Sequence, residues 1–465
     1  MFPLLMSRAA APHAVSTGVT LLFAGLLVGL ILCLALEERL HAKKSFIAGA
    51  FAVVAVLLAD FFDLLPIGHV VNIFGETLHL PLYLQGVDWE VIGIILGSSV
   101  FVDVTSRSGL FTWIAVRLTK ASGGDPRKLL WLYGGMTVLF SAVLNNVTAM
   151  IIVGSLTAVS LDKLERRDKL LGFLLLEGLL TNVGGLLTLI SSVPNIIVGT
   201  AAGIGFARFF VIAAPYVVVA TAATLWLGSR QFGIAGLKTD QERAHAKALV
   251  GGFDENDGIE SPGFFRFAAV MTLAFIAVIA TTSVLPYVRD LGMSYVALAF
   301  AVIMLVRYKH EVDQFYRAVD WDLLGFFAAL FVVINVMEHA QVLALIGKGL
   351  GAILGLGDQL GGGAMLISAA GFSSVTDNIP LAAMLAKILG ALGTPGESSL
   401  WWSVIFGANL GGNLTPIGSA STLVAVTIIH KNRLPMSFGA FVKAALPYAL
   451  MQLVLATVYV LVFLT

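Results

Sequence analysis

Charge is what this sequence has least of. Asp, Glu, Lys and Arg make up 12% of its 465 residues, about half the share of a soluble domain. The 28 basic and 28 acidic residues cancel. With no net charge, nucleic acid is not an expected partner. A single cysteine, Cys33, excludes an intrachain disulfide. No His/Cys cluster offers a zinc site, and no nucleophile–base pair marks an enzyme. The glycine runs lack a preceding strand and a Walker lysine, which excludes a nucleotide loop. No cofactor is expected beyond Na+ or H+ as a coupling ion. No polar stretch is long enough for a sizeable soluble domain. The longest, 229–262, contains "KTDQERAHAK" and "GGFDENDGIE" and reads as a cytoplasmic linker and flexible tether between halves.

What the chain does have is apolar length. It is 58% hydrophobic with a mean hydropathy of +0.93. Long, nearly uncharged runs such as Ser16–Leu36, Phe209–Leu227, Phe264–Val284 and Phe438–Leu464 can cross about 30 Å of hydrocarbon as helices. The first run is too long for a typical signal peptide. The reading is an all-α polytopic protein in the cell inner (plasma) membrane, with the lipid bilayer as its main partner. Lys and Arg cluster at Arg39–Lys44, Arg117–Lys128, Lys163–Lys169, Arg230–Lys247, Arg307–Arg317 and Lys431–Lys443, and none lies between Lys44 and Arg107. Basic loops stay inside, so the termini are expected outside.

The chain also repeats itself. "VDWEVIGIILG" at Val87 returns as "VDWDLLGFFAA" at Val319, 232 residues later. At the same offset "SAVLNNVT" (Ser141–Thr148) meets "SSVTDNIP" (Ser373–Pro380). "TNVGGLLTLISSVPN" (Thr181–Asn195) meets "ANLGGNLTPIGSAST" (Ala408–Thr422) at an offset of 227. Three segments in the same order are an internal duplication. The first VDW follows an outside loop and the second a basic one, so the halves point opposite ways. Inversion needs an odd number of spans per half. Five are expected near 17–36, 46–66, 89–107, 170–205 and 209–228, and five near 264–285, 292–306, 321–338, 400–430 and 439–464. The halves are 1–228 and 263–465.

Two segments remain, 128–160 and 361–391. The first is basic at both ends, so it enters and returns as a re-entrant hairpin with its tip at Leu144-Asn145-Asn146-Val147. The second turns at Thr376-Asp377-Asn378-Ile379-Pro380. Gly184-Gly185 and Gly411-Gly412, with Pro194 and Pro416, break the fourth span of each half into a discontinuous helix. Irregular backbone at membrane depth survives only under protein or beside a cavity. Two tips and two breaks would therefore converge on one site.

At these motifs the chain resembles the ArsB/NhaD group of the ion-transporter superfamily. "SAVLNNVTAMI", "TNVGG…PNIIV", "TDNIP" and "GANLGGNLTPIGSAS" look most like the melanocyte P-protein branch and its bacterial relatives. The resemblance covers roughly Val87 to Asn432. It implies the ion-transporter fold, a scaffold with a mobile transport part, secondary transport or ion antiport, an elevator motion as in distant dicarboxylate carriers, and a homodimer. The mobile part is expected to be hairpins plus broken helices, moving against a scaffold that includes the last span of each half. Two departures stand out: Ser192 lies where relatives carry an acid in "GDPPN", and Asn145 where they often have Asp.

The expected substrate and ion ligands are Asn145, Asn146, Thr181, Asn182, Thr188, Ser192, Asn195, Asp377, Asn378, Asn409, Asn413, Thr415 and Ser419. Asn145 and Asp377 are the candidates for Na+. Asp377 and Glu177 are the candidate proton carriers, because ionisable groups inside a membrane are functional by default. The same residues also suit plain roles. Asp377 and the tip asparagines can cap helices, and the others can satisfy broken backbone. Glu177 is either a second titratable group or the partner of a cation. Asp103 reads as an interhelix hydrogen bond. The function expected is secondary active transport of a small ion or anion coupled to Na+ or H+. A Na+/H+ antiporter, an arsenite or inorganic anion efflux permease and a passive anion channel are the alternatives.

Overall fold

The computed structural model describes residues 15–65, 86–307, 319–376 and 378–464, with positions 70, 71, 75, 77, 78, 84, 313 and 316 between them. Nearly all of it is helix, because a backbone in hydrocarbon must satisfy its own hydrogen bonds. In the first half the helices are α1 (Thr17–Ala35), α2 (Lys44–Phe61), α3 (Trp89–Arg107), α4 (Leu110–Ser122), α5 (Pro126–Val143), α6 (Asn146–Lys163), α7 (Leu170–Gly184), α8 (Val193–Ala201) and α9 (Phe206–Gln231). α10 (Asp240–Gly251) lies in the linker. The second half holds α11 (Pro262–Ala280), α12 (Val288–Arg307), α13 (Trp321–His339), α14 (Val342–Leu354), α15 (Gly357–Ser373), α16 (Asn378–Ala391), α17 (Ser399–Gly411), α18 (Ala420–Lys431) and α19 (Phe438–Tyr459).

Eight of the described helices are long and apolar enough to span a membrane: α1, α2, α3, α9, α11, α12, α13 and α19, the last extended to Leu464. Two interrupted spans, α7/α8 and α17/α18, complete five per half. The 232-residue offset carries α3 onto α13, α4 onto α14 and the start of α9 onto the start of α19. It also carries Pro215 onto Pro447, each inside its helix. The two hairpins are α5/α6, turning at Leu144-Asn145, and α15/α16, turning between Ser373 and Asn378. The expected five-plus-five repeat with two hairpins and two discontinuous helices is the observed fold.

The chain forms two compact units. The first, Met1–Trp89 with Trp321–Ala352, packs α1 on α2 and α2 on α13. The backbone N–H and hydroxyl of Ser45, at the start of α2, both donate to the Asp322 carboxylate, anchoring α2 to α13. Two-residue strands, β1 (Val70–Val71) and β2 (Thr77–Leu78), pair antiparallel in the loop after α2.

The second unit, Glu90–Asp320 with Ile353–Thr465, holds both hairpins and both breaks. Phe101, Phe275 and Phe300 join α3, α11 and α12, with centroids 4.6 to 6.1 Å apart. The linker is not a free tether. A capping box closes the start of α10, with Thr239 and Glu242 each accepting the other's backbone N–H. Lys120 of α4 holds Glu255 at 2.6 Å, and Arg117 lies 3.6 Å away. A sequence reading sees polar composition; it does not see which lysine, 135 residues away, receives the acid.

Candidate functional site

The site is built where the two broken helices cross. After Gly184 the helix α7 stops, and residues 185–192 carry the chain to α8; residues 412–419 do the same between α17 and α18. Each hairpin clamps its own break in the same way. Ser141 Oγ donates to the Thr181 carbonyl at 2.6 Å, and its repeat partner Ser373 donates to the Ala408 carbonyl at 2.6 Å. Thr188 Oγ1 donates to the Ala142 carbonyl and Thr415 Oγ1 to the Ser374 carbonyl, both at 2.5 Å. These pairs match residue by residue at the two offsets.

Glycine makes the clamps possible. A Cβ on Gly184 would lie 2.7 Å from the Val138 backbone, and one on Gly411 only 2.4 Å from the Ala370 carbonyl oxygen. Val138 and Ala370 are themselves repeat partners. No larger residue permits these two approaches without moving a helix backbone.

The halves then exchange bonds. Ser192 Oγ donates to Asn409 Oδ1 at 2.6 Å, and Ser419 Oγ to Asn182 Oδ1 at 2.9 Å. Under the 227 offset Ser192 corresponds to Ser419 and Asn182 to Asn409, so the two bonds are one bond made twice about a pseudo-two-fold. Asn182 Nδ2 donates to Asn413 Oδ1 at 2.8 Å, and Asn409 Nδ2 to Asn195 Oδ1 at 2.9 Å. Asn195 Nδ2 closes the first break by donating to the carbonyls of Gly185 and Thr188. Ser421 Oγ adds a third donor to Asn182. The packing swaps too: α6 lies on α18, and α16 lies on α8.

These bonds assign the expected ligands. Asn182, Asn195, Asn409 and Asn413 are fully buried and use their amides on one another and on broken backbone, so they build the crossing. Thr181 donates to the Gly178 carbonyl within its own helix. Ser192 and Ser419 tie the halves together, and Thr188 and Thr415 tie tips to breaks. Asn145 is an exposed cap, accepting from Thr148 N–H at 2.8 Å. Asn146 joins the tip to the crossing, accepting from Ser141 and donating to Asn182 at 3.3 Å. Asn378 is buried at the start of α16. Asp377 lies outside the described residues.

Glu177 is wholly buried on α7. Thr157 Oγ1 of α6 donates to its Oε1 at 2.6 Å, while Oε2 is buried with no hydrogen-bond partner among the described residues. No Lys, Arg or His among them pairs with it. Asp103 pairs with Arg107 on its own helix at 3.7 Å rather than across helices.

Gln452 escaped the sequence reading. It is fully buried on α19, accepting from Asn413 Nδ2 at 2.7 Å and donating to Thr224 of α9 at 3.0 Å. Tyr216 of α9 donates to its backbone carbonyl at 3.0 Å. The last span of each half is thereby bonded to the crossing. A lone amide in an apolar span was the available signal.

The chain is similar to known proteins. Residues 31–405 match the family described as citrate transporter, CitMHS. The chain is 30% identical over 387 residues to an uncharacterized transporter of Mycobacterium bovis, covering 80% of this chain and 86% of that one. It is 24% identical over 535 residues to the human P protein, covering 99% of this chain and 62% of that one. The crystal structure of the Alcanivorax borkumensis YdaH transporter, described as having an unusual topology, aligns with a TM-score of 0.57 at 14% identity over 96% of this chain and 98% of that one. The expected P-protein kinship and superfamily fold are both found. A family match over most of the chain, a fold shared along nearly its whole length and spans enough for a polytopic protein lead to one conclusion: this chain belongs to the CitMHS citrate transporter family and is a multi-span membrane transporter.

Proposed function

We propose that the protein is a secondary active transporter that carries a small anion by alternating access, coupled to Na+ or H+. The observation that carries this reading is the chemistry of the crossing. Its described polar groups are amides and hydroxyls, and the N-termini of α6, α8, α16 and α18 all begin at a tip or a break. Helix N-termini present unpaired N–H groups and favour anions. Ser192 and Asn145, standing where related motifs carry acids, lower the negative charge further. The family's name makes a carboxylate anion such as citrate the first substrate to test.

Tips and breaks bonded into one body support an elevator-type motion. Asp377 and Glu177 are the two proton-carrying candidates, and Asp377 with Asn145 the pair offered to Na+. The buried, half-satisfied Glu177 favours a second reading, a cation/proton antiporter built on the same frame. The test is uptake into proteoliposomes under separately imposed sodium and proton gradients, with citrate, arsenite, chloride and sodium as probes. Saturable anion uptake driven by one gradient is expected. Non-saturable flux down the anion's own gradient would make the protein a channel, and gradient-driven sodium movement without anion would favour the antiporter.

A further inference from the structure

Glu177 does not sit alone in its half. One turn along α6 from Thr157, its hydroxyl donor, lies Ser160, whose Oγ is 2.8 Å from the Tyr133 hydroxyl of α5. Tyr133 is in turn 2.8 Å from Thr119 Oγ1 of α4. Ser122, one turn further along α4, donates to the Thr119 carbonyl at 2.7 Å. Every one of these side chains is buried. Ser122 also lines a cavity of about 540 Å³, edged by Lys120, Asp125 and Lys128. A file of hydroxyls therefore runs from a buried carboxyl to a cavity on the basic face of the molecule.

The repeat shows that this file is not part of the frame. The 232 offset places Gly351, Met365, Leu389 and Leu392 opposite Thr119, Tyr133, Thr157 and Ser160, and the 227 offset places Val404 opposite Glu177. Five polar positions in one half face five positions without a polar side chain in the other. Groups needed to hold a hairpin against its break occur in both halves, as Ser141 and Ser373 do. Buried hydroxyls and a carboxyl kept in one half alone need another reason, since burying a polar group brings a cost that its hydrogen bonds only offset.

We infer that this half-specific file is a proton path, which loads Glu177 from the basic-face cavity. The inference rests on the reading of Glu177 as a proton carrier. Each hydroxyl along the path accepts one proton and releases its own to the next, so one proton moves and every hydroxyl is restored. Thr157 passes its proton to Oε1, the oxygen it bonds, so Glu177 ends as the neutral acid, while Oε2 is the oxygen with no partner among the described residues. Two steps, Thr157 to Ser160 and Thr119 to Ser122, each span a helical turn and need one bridging water. Tyr133 is the titratable group on α5 that the Glu177 charge reaches. The charged residues of the neighbouring α6, α9 and α18, such as Lys163, Arg230 and Lys431, lie in terminal turns.

The test is time-resolved infrared difference spectroscopy on the full-length protein in liposomes after a pH jump. A carboxylic-acid carbonyl band that disappears in Glu177→Gln identifies the proton on Glu177. Tyr133→Phe and Thr157→Val each remove a hydroxyl at nearly constant volume. Each is expected to slow that band by at least about tenfold with its final amplitude retained. Ser160→Ala and Thr119→Val report the same way if either first variant fails to fold. A Glu177 band that forms at the native rate in the folded hydroxyl variants overturns the path and leaves Glu177 as a carrier. No Glu177-dependent band at any pH overturns both.

Discussion

The first hairpin and its break share one geometry with the second hairpin and its break, but not one chemistry. Ser141 and Ser373, Thr188 and Thr415, Ser192 and Ser419, and Asn182 and Asn409 make equivalent bonds in the two halves. Around them the halves part. Glu177, Thr157 and Tyr133 lie buried beside the first break, where the second has Val404, Leu389 and Met365. Conversely, the 232 offset sets Asp377 of the second half against Asn145 of the first. A duplicated frame serves a task both halves share, which is to hold backbone open at membrane depth. What one half has alone serves a task done once.

The sharpest way to break this comparison is at the second tip. Asp377→Asn keeps the shape and remains a competent cap. Coupled uptake in proteoliposomes should fall on the order of a hundredfold, the scale of losing a positioned proton-transfer group, and lose its pH dependence, while expression holds. A native rate with a native pH profile would reduce Asp377 to a cap and move the coupling to Glu177.

The shared frame predicts equal damage from equivalent changes. Asn182→Ala and Asn409→Ala each strand buried partners, at about 1–3 kcal/mol for a group left unsatisfied. Thermal unfolding in detergent should show two losses of similar size. A large loss in one and none in the other would mean that the pseudo-two-fold is geometric only.

Gln452 tests whether the last spans belong to the crossing. Gln452→Leu should destabilise by about 1 kcal/mol, the usual scale of a hydrogen bond between membrane helices. It should also loosen α9 and α19, read as faster labelling of cysteines placed on them. Unchanged labelling would return both helices to a scaffold role.

The smallest effect lies in the linker. The hydrogen bond from Lys120, then its charge and that of Arg117, hold the Glu255 carboxyl below the ordinary carboxylate range. A depressed acid stabilises the folded contact above its unfolded pKa, and that contribution is lost as pH falls through the lowered value. Hydrogen-exchange protection in residues 252–260, taken against the intrinsic rate at each pH, should therefore fall as the solution is acidified below the ordinary carboxylate range. Glu255→Gln should exchange faster at neutral pH and lose that dependence; protection that ignores both pH and the substitution would place the docking elsewhere.

The sequence by itself determined the spans, the duplication, both hairpin tips and both breaks. Those are local consequences of the bilayer: a span needs about twenty apolar residues, and Gly and Pro interrupt it where they stand. It also named the residues of the crossing, because they recur in both halves. Only the tertiary structure decided what those residues do. Asn182 and Asn413 are 231 positions apart, and either could have faced a ligand, its own backbone or the other; the swapped packing of α6 on α18 and α16 on α8 chose the last. The same packing joined Gln452 to Asn413, left Glu177 with one hydrogen-bonded oxygen of two among the described residues, and lined up hydroxyls from three helices. Composition tells how many polar groups enter the membrane; close approach across glycine decides which of them satisfy each other.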